Sequence, residues 1–504
     1  MYRIQTKLLF RFLAQPAAMI ALGHLMADVA LAAPEADSTS KSPGQSLNAK
    51  GRNGDSQKPL LELDEPVLGG TSTESDGQTP PVKEGEEPMP PPSKPQVGEE
   101  PVGADVEQRQ RTNVLSNSAS AQAQQGTLPP MVADIPQTAA PFGEVTDYSL
   151  GLTGPGSKWR LRPRFSITGI FDDNIYLSSN NKVSDFYFAI SPGATLSYGP
   201  EESALKVRAD YTASFLVFTK ESSQDTVDQN AVARISYAMS KLTLGLNLGI
   251  QSLSGASIDV GDRVRRQVYY VGVMSNYVLD EKFSVDLNGD ETLADYHGYL
   301  DSNETRIQSW LNYQAAGKLR VSLGSTVGFL DVQDGSGQTY EQLLGRVNYD
   351  ATGKLVVYAS GGVDLRQSDT TNVSPVFSIG AAYSPYATTT ITLDIHERIY
   401  GSAALVGQDY RATGMFVTLN QQLRPSLSMF LSLGYENASY FAVQDGIAAN
   451  RRDNYYFARV GPEWRVKPWC NLSSFYEFSK NDSTGIGSRS FTRNRVGVQA
   501  NFSF

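Results

Sequence analysis

Cysteine is almost missing from this chain: its 504 residues hold one, Cys470. A single thiol excludes an intrachain disulfide framework and any cysteine-rich metal cluster. Histidine is nearly as scarce, with His24, His297 and His396 only. No His-Glu-x-x-His or Cys/His spacing occurs, so no structural metal site is expected. After residue 157 no apolar run approaches the roughly 18 residues a membrane helix needs. That absence says nothing of a β-barrel, whose strands carry only a weak alternating signal. A propeller-sized internal repeat is absent too. There is no basic excess: the net charge is −10, and a nucleic-acid partner is not implied.

What is present is divided unevenly. Sixteen of the 26 prolines fall between Pro34 and Pro141, whereas nearly every aromatic residue follows Phe142. The first 149 residues hold 19 acidic and 11 basic side chains, about −8 of the net charge. The remainder is close to neutral, with many charges of both signs.

Residues 1–32 read as an export signal. Arg3, Lys7 and Arg11 form a basic start, Ala17 to Leu31 is mostly apolar, and Ala30, Leu31 and Ala32 offer a cleavage site before Ala33. Pro16, His24 and Asp28 argue against a stable spanning helix. Residues 33–150 are rich in Pro, Ser, Gly and Glu, a composition that cannot bury enough apolar surface to offset its ordering entropy. This segment is expected to be a disordered periplasmic linker. A tether to periplasmic or cell-wall partners and a plug threading a pore stay open beside that reading.

Residues 155–504 carry a different pattern. Counting back from the end, Phe504, Phe502, Ala500, Val498 and Val496 are apolar, and Ser503, Asn501, Gln499, Gly497, Arg495 and Arg493 are polar or small. Side chains alternate across a strand, so this segment has one apolar and one polar face. About eighteen such segments follow one another from Lys158 onward. The cleanest sets Leu242, Leu244, Leu246, Leu248 and Ile250 against Thr243, Gly245, Asn247, Gly249 and Gln251. Between Val268 and Met274 both faces are apolar and the facing is ambiguous.

Connections alternate in length. Tight turns are expected at Gly199 to Glu202, Ser240-Lys241, Asp280-Glu281, Ala316 to Lys318, Ala351 to Gly353, Ser384-Pro385, Arg424-Pro425 and Lys467-Pro468. Longer polar loops are expected at Ser254 to Asp262, Asp334 to Gln338, Gly401 to Gln408 and Val443 to Asn450. This layout, with aromatics near strand ends at Trp159, Tyr198, Tyr313, Tyr349 and Trp464, predicts an all-β fold: a transmembrane antiparallel up-and-down β-barrel of about eighteen strands. An even count puts both ends of the barrel on the short-turn side, expected to be periplasmic.

Phe171-Asp172-Asp173-Asn174-Ile175-Tyr176, then Ser184-Asp185-Phe186 and Ser191-Pro192-Gly193-Ala194, resemble the opening of the β-barrel porin type 2 family of Gram-negative outer membranes. The closing Thr492-Arg493-Asn494-Arg495-Val496-Gly497, ending in Phe504, resembles that family's last strand. The resemblance covers roughly Arg160 to Phe504. It implies a barrel of the bacterial outer membrane with pore function and names no solute; relatives near exopolysaccharide machinery bring glycan export into view. The terminal Phe504, with Phe502 and Val498, looks like the signal read by the barrel-assembly machinery.

If the apolar set meets lipid, the polar set lines the lumen. Parity then turns Arg160, Arg162, Arg164, Arg493, Arg495, Arg459, Glu463 and Arg465 inward, gathered on one arc where first and last strands meet. Asp286, Asp290, Asp364 and Asp394 face inward elsewhere. Opposed basic and acidic walls would set a transverse field and bias solute entry. Lumenal ion pairs that only hydrate and stiffen the wall, or a site for an anionic glycan, fit the same residues. Asp172 and Asp173 suit an Asx-type turn better than a calcium site. Asp394 and His396 share the inward face, a pair a hydrolase could use, but their surroundings are ordinary for a pore wall and no enzyme is expected. Cys470 is expected to be an inert wall residue. The sequence thus favours a porin-like channel for passive diffusion of small hydrophilic solutes, with no cofactor. An exopolysaccharide export conduit and a structural, tethering barrel are the alternatives, and monomer and trimer both stay open.

Overall fold

The computed structural model describes residues 158–199 and 203–504. The expected signal peptide and linker, and most of the expected turn at Gly199 to Glu202, lie outside the described residues. Eighteen strands follow in order. They are β1 (Trp159–Asp172), β2 (Asp185–Tyr198), β3 (Leu205–Phe218), β4 (Thr226–Ala238), β5 (Leu242–Ser257) and β6 (Asp262–Val278). Next come β7 (Phe283–Tyr296), β8 (Ser302–Ala316), β9 (Leu319–Val332), β10 (Gln338–Thr352), β11 (Leu355–Gln367) and β12 (Thr371–Tyr386). The last are β13 (Thr389–Gly401), β14 (Gln408–Arg424), β15 (Leu427–Ala442), β16 (Arg452–Lys467), β17 (Cys470–Thr484) and β18 (Phe491–Ser503).

Each strand pairs antiparallel with its neighbours in sequence, and β1 pairs with β18, from Arg164 opposite Ser503 to Asp172 opposite Arg495. The sheet is therefore a closed barrel with no free edge, the form in which a spanning sheet satisfies all its backbone groups. Both β1 and β18 have their outer ends on the short-turn side.

Which face is wet follows from exposure. Ile250, Leu323, Leu343 and Val498 are 53–65% exposed on the outside, whereas Asp364, Asn481 and Arg493 on the inside are at most 1% exposed. A water-soluble barrel would bury the first set and expose the second. Here the order is inverted, as the alternation at the end of the chain implies. In β6 the ambiguity resolves with Val264, Arg266 and Val268 buried inward and Val273 exposed outward. At the short-turn end exposed aromatics form a girdle. Trp159 meets Tyr198 at 4.8 Å, Phe283 meets Tyr313 at 4.9 Å, and Trp469 stacks on Phe504 at 6.3 Å between ring centroids.

Two expected connections move. The turn expected at Ser384-Pro385 falls at residues 387–388, because β12 runs on through Pro385 as a bulge between Tyr383 and Tyr386. A proline, which cannot donate to the ladder, is tolerated at such an irregularity. The loop expected over Ser254 to Asp262 shrinks to residues 258–261, because Gly255 and Ala256 still pair with Val264 and Arg263. Gly261, at φ +72°, makes that tight reversal. Connections are two to six residues at one end and three to twelve at the other.

Candidate solute pathway: the barrel interior

The register places every residue expected on the polar face inside the barrel. The expected segregation of charge does not hold, however: bases and acids sit side by side. Arg493 on β18 is bound by Asp172 on β1, both side chains fully buried. Arg495 is held by Glu477 of β17, directly opposite it in the register, and Arg459 lies 3.8 Å from the same carboxylate. Arg164 donates to Thr195 and Thr212 at 2.8 and 2.7 Å and lies 3.4 Å from Asp210. The expected acidic wall is neutralised in the same way. Asp290 meets Arg306 at 3.2 Å, Asp286 meets Arg346 at 3.3 Å, and Arg366 bridges Asp364 and Asp409 at 3.5 and 3.0 Å. A charge this enclosed is tolerated only when paired and hydrogen-bonded, which is why cross-strand partners interleave. Arg160 and Arg162 face inward at the short-turn end. Glu463 is mostly buried opposite Ser428 and Ser473, and Arg465 donates to the Pro425 carbonyl at 2.7 Å.

Asp394 and His396 do meet, with Nδ1 2.7 Å from the carboxylate, and the Tyr358 hydroxyl donates to the other oxygen at 3.0 Å. His396 turns Nε2 toward Glu436 on β15, 3.7 Å away, although Ser378 on β12 is its cross-strand neighbour. The imidazole is thus engaged by two carboxylates rather than by a hydroxyl, and its ring stacks on Phe416 at 5.5 Å.

The Asp172-Asp173-Asn174 turn works as the clasp of the seam. The Asn174 N–H donates to the Asp172 carboxylate at 3.0 Å, the Asx geometry expected. Asp173 accepts from the backbone and side-chain nitrogens of Asn494, both at 2.7 Å, and the Asn174 amide donates to the Thr492 carbonyl at 3.0 Å. No metal-binding group of acids, histidines or cysteines occurs among the described residues.

At the long-loop end the interior is crossed by a latch that sequence reading missed. Residues 258–261 join β5 to β6 and reach the connections after β13 and β15, each eight strands away, in opposite directions around a ring of eighteen. Asp259 accepts from the Ser402 hydroxyl at 2.9 Å, the Ala403 N–H at 2.7 Å and the Tyr440 hydroxyl at 2.7 Å. Arg451 donates to the Asp259 and Ile258 carbonyls at 2.7 and 3.1 Å and to Asp453 at 2.7 Å. Val260 packs with Val264, Val268, Ala294, Tyr296 and Ala403. Burial pushes the Asp259 carboxyl above its ordinary value, while Arg451 and the three donors pull it back only in part. No periodicity marks this contact, since it depends on two loops meeting across the interior. The one hint was composition: Ile258 and Val260 are apolar in what reads as a polar loop.

These features define the class: a closed antiparallel membrane-type β-barrel with an apolar outside, a charged inside and one latched mouth. No family model matches the sequence, and no curated protein matches it. Solved structures do. The chain is similar to the outer membrane protein OpdK from Pseudomonas aeruginosa, at 13% identity over 68% of this chain and 99% of that one, with a TM-score of 0.39. It is also similar to OccK2 (OpdF) of the same organism, at 10% identity over 68% and 98%, TM-score 0.41. The siderophore receptor PirA, again from Pseudomonas aeruginosa, matches at 10% identity over 70% and 81%, TM-score 0.37.

Proposed function

We propose that this chain is an outer-membrane porin-like channel that passes small hydrophilic solutes through a charged lumen. The observation that carries the reading is the inversion of the barrel: exposed Ile250, Leu323, Leu343 and Val498 outside, and buried Asp364, Asn481 and Arg493 inside. An apolar belt of that kind is stable against hydrocarbon, not against water. Residues 1–32 then direct export, residues 33–150 lie in the periplasm, and Phe504, Phe502 and Val498 serve the barrel-assembly machinery. Membership of the β-barrel porin type 2 family, carried by the seam residues Asp172, Asp173, Asn174 and Arg493 to Arg495, belongs to the same reading. Lumenal pairs such as Asp290 with Arg306 keep the wall polar without a net charge of one sign. Purified protein in planar bilayers tests the proposal: a reproducible unitary conductance supports it. Silence from protein shown to be folded and inserted overturns it.

The Asp259 latch favours a second reading, a conduit that opens only on demand, as glycan export would need. Loss of secreted glycan on deletion, with no change in uptake of small solutes, supports that alternative over the porin.

A further inference from the structure

Along the inner face of β16 the charges do not pair off. Among the acids expected on the inner wall, Asp286, Asp290, Asp364 and Asp394 each have a base within 3.5 Å. Glu463 has neither an ion pair nor a hydrogen bond among the described residues, although it is only 8% exposed. Its cross-strand neighbours are Ser428 and Ser473, and the buried Ser428 hydroxyl has no partner either. An enclosed carboxylate without a donor is costly, and a buried group left so calls for one.

Four residues further up the same face, Arg459 has the opposite surplus. It lies 3.8 Å from Glu477, but Arg495 already donates to that carboxylate, so two bases share one acid. The Arg459 Nε–H is buried without an acceptor. No ion pair joins Arg459 to Glu463 among the described residues. Between the two stands Gly461, with the partly exposed ring of Phe430 opposite and against it. The Arg459 guanidinium lies over that ring and over Phe475, 5.8 and 4.2 Å from the centroids. An unpaired base and an unpaired acid thus flank a gap that has an apolar floor and no intervening side chain on β16.

We propose that Arg459 and Glu463 together bind an α-amino acid in its zwitterionic form. The ligand carboxylate accepts from Arg459, a charge-assisted bond of the strong kind. Its ammonium group donates to Glu463 and to the Ser428 and Ser473 hydroxyls, and its carbon skeleton lies against Phe430. A simple anion or a simple cation would answer only one of the two surpluses. Four residues of strand place the two Cα atoms about 13 Å apart. The side chains, with hydrogen bonds of about 2.9 Å, take up most of that, so the bridging molecule is small. The inference rests on the porin reading, because the lumen is its route of access, and it names a solute class for that reading.

The test is equilibrium binding of radiolabelled L-alanine to the full chain folded in detergent micelles, with propionate and ethylamine as competitors that carry one charge each. Saturable binding is expected, displaced by unlabelled alanine and by neither competitor at the same concentration. Glu463→Gln and Arg459→Gln, each checked for a heat-modifiable barrel, should each weaken binding by about 10-fold or more. If either variant fails to fold, competition on the native protein decides. No saturable binding by native protein overturns the proposal. So does displacement by propionate or by ethylamine as effective as that by alanine, which marks a site for one charge only, and so does unchanged binding in either variant. The measurement needs no current. Alanine binding by a barrel that is silent in bilayers sinks the porin reading and keeps the site, whereas a conducting barrel that binds no alanine keeps the porin and removes the site.

Discussion

Arg493 and Asp172 come from opposite ends of the barrel sequence, 321 residues apart, and neither side chain is accessible to solvent. They meet where β1 and β18 close the ring, flanked by the contacts of Asp173 and Asn174 to the last strand. A buried pair is weak evidence of net stabilisation, but removing one member strands the other charge at a cost of about 3–5 kcal/mol.

The seam therefore gives an asymmetric prediction. Arg493→Ala or Asp172→Ala alone lowers the midpoint of denaturant unfolding and the fraction of heat-modifiable barrel on gels. Arg493→Leu with Asp172→Leu loses much less than either single change. Equal losses in the single and double variants would show that the two charges are not coupled.

Ion selectivity should follow the exposed bases rather than the buried ones. Arg160→Gln with Arg208→Gln is expected to move the reversal potential in a salt gradient toward cation preference. Arg495→Gln, whose native side chain is occupied by Glu477, should alter stability and leave the reversal potential nearly unchanged.

Opening of the long-loop mouth should be controlled by Asp259. In Asp259→Ala the loss of its buried hydrogen bonds weakens the latched state by about 1–3 kcal/mol, a shift of about 5- to 150-fold in the closed-to-open ratio. Tyr440→Phe removes one of those bonds and should have a smaller effect in the same direction. Single-channel open probability measures both.

The same carboxyl predicts that the latch depends on pH. Its value is raised above 3.8 in the latched state, and an unlatched loop returns it to water and the ordinary value. The protonated form therefore favours the latch, whose full strength is present below 3.8 and declines as pH rises through the raised value. Acidification from neutrality is expected to lower open probability, and Asp259→Asn should abolish that response.

Alternation carried the fold because a strand reports its facing at every second residue. The set Leu242 to Ile250 gives strand, face and approximate ends together, and the turns at Pro425 and Pro468 fall where local chemistry puts them. Pro385 misled because a bulge and a turn use the same residue. Inward-facing charges were legible by parity, but their partners were not. Glu477 opposite Arg495 needs the β17–β18 register, and Arg366 with Asp409 needs contact between β11 and β14, three strands apart. The Asp259 contacts were beyond reach, since they join segments separated by 143 to 193 residues with no ladder between them.

The strap from β5–β6 to the far wall also has a mechanical side. A thin-walled cylinder resists stretching along its hydrogen bonds but flattens easily into an ellipse. A tie fixed at opposite ends of one diameter, by Asp259 on one side and by Ser402, Tyr440 and Arg451 on the other, resists that flattening in the direction it spans. Lateral pressure from the bilayer would then leave the bore round, and cutting the tie would make its shape sensitive to the surrounding lipid.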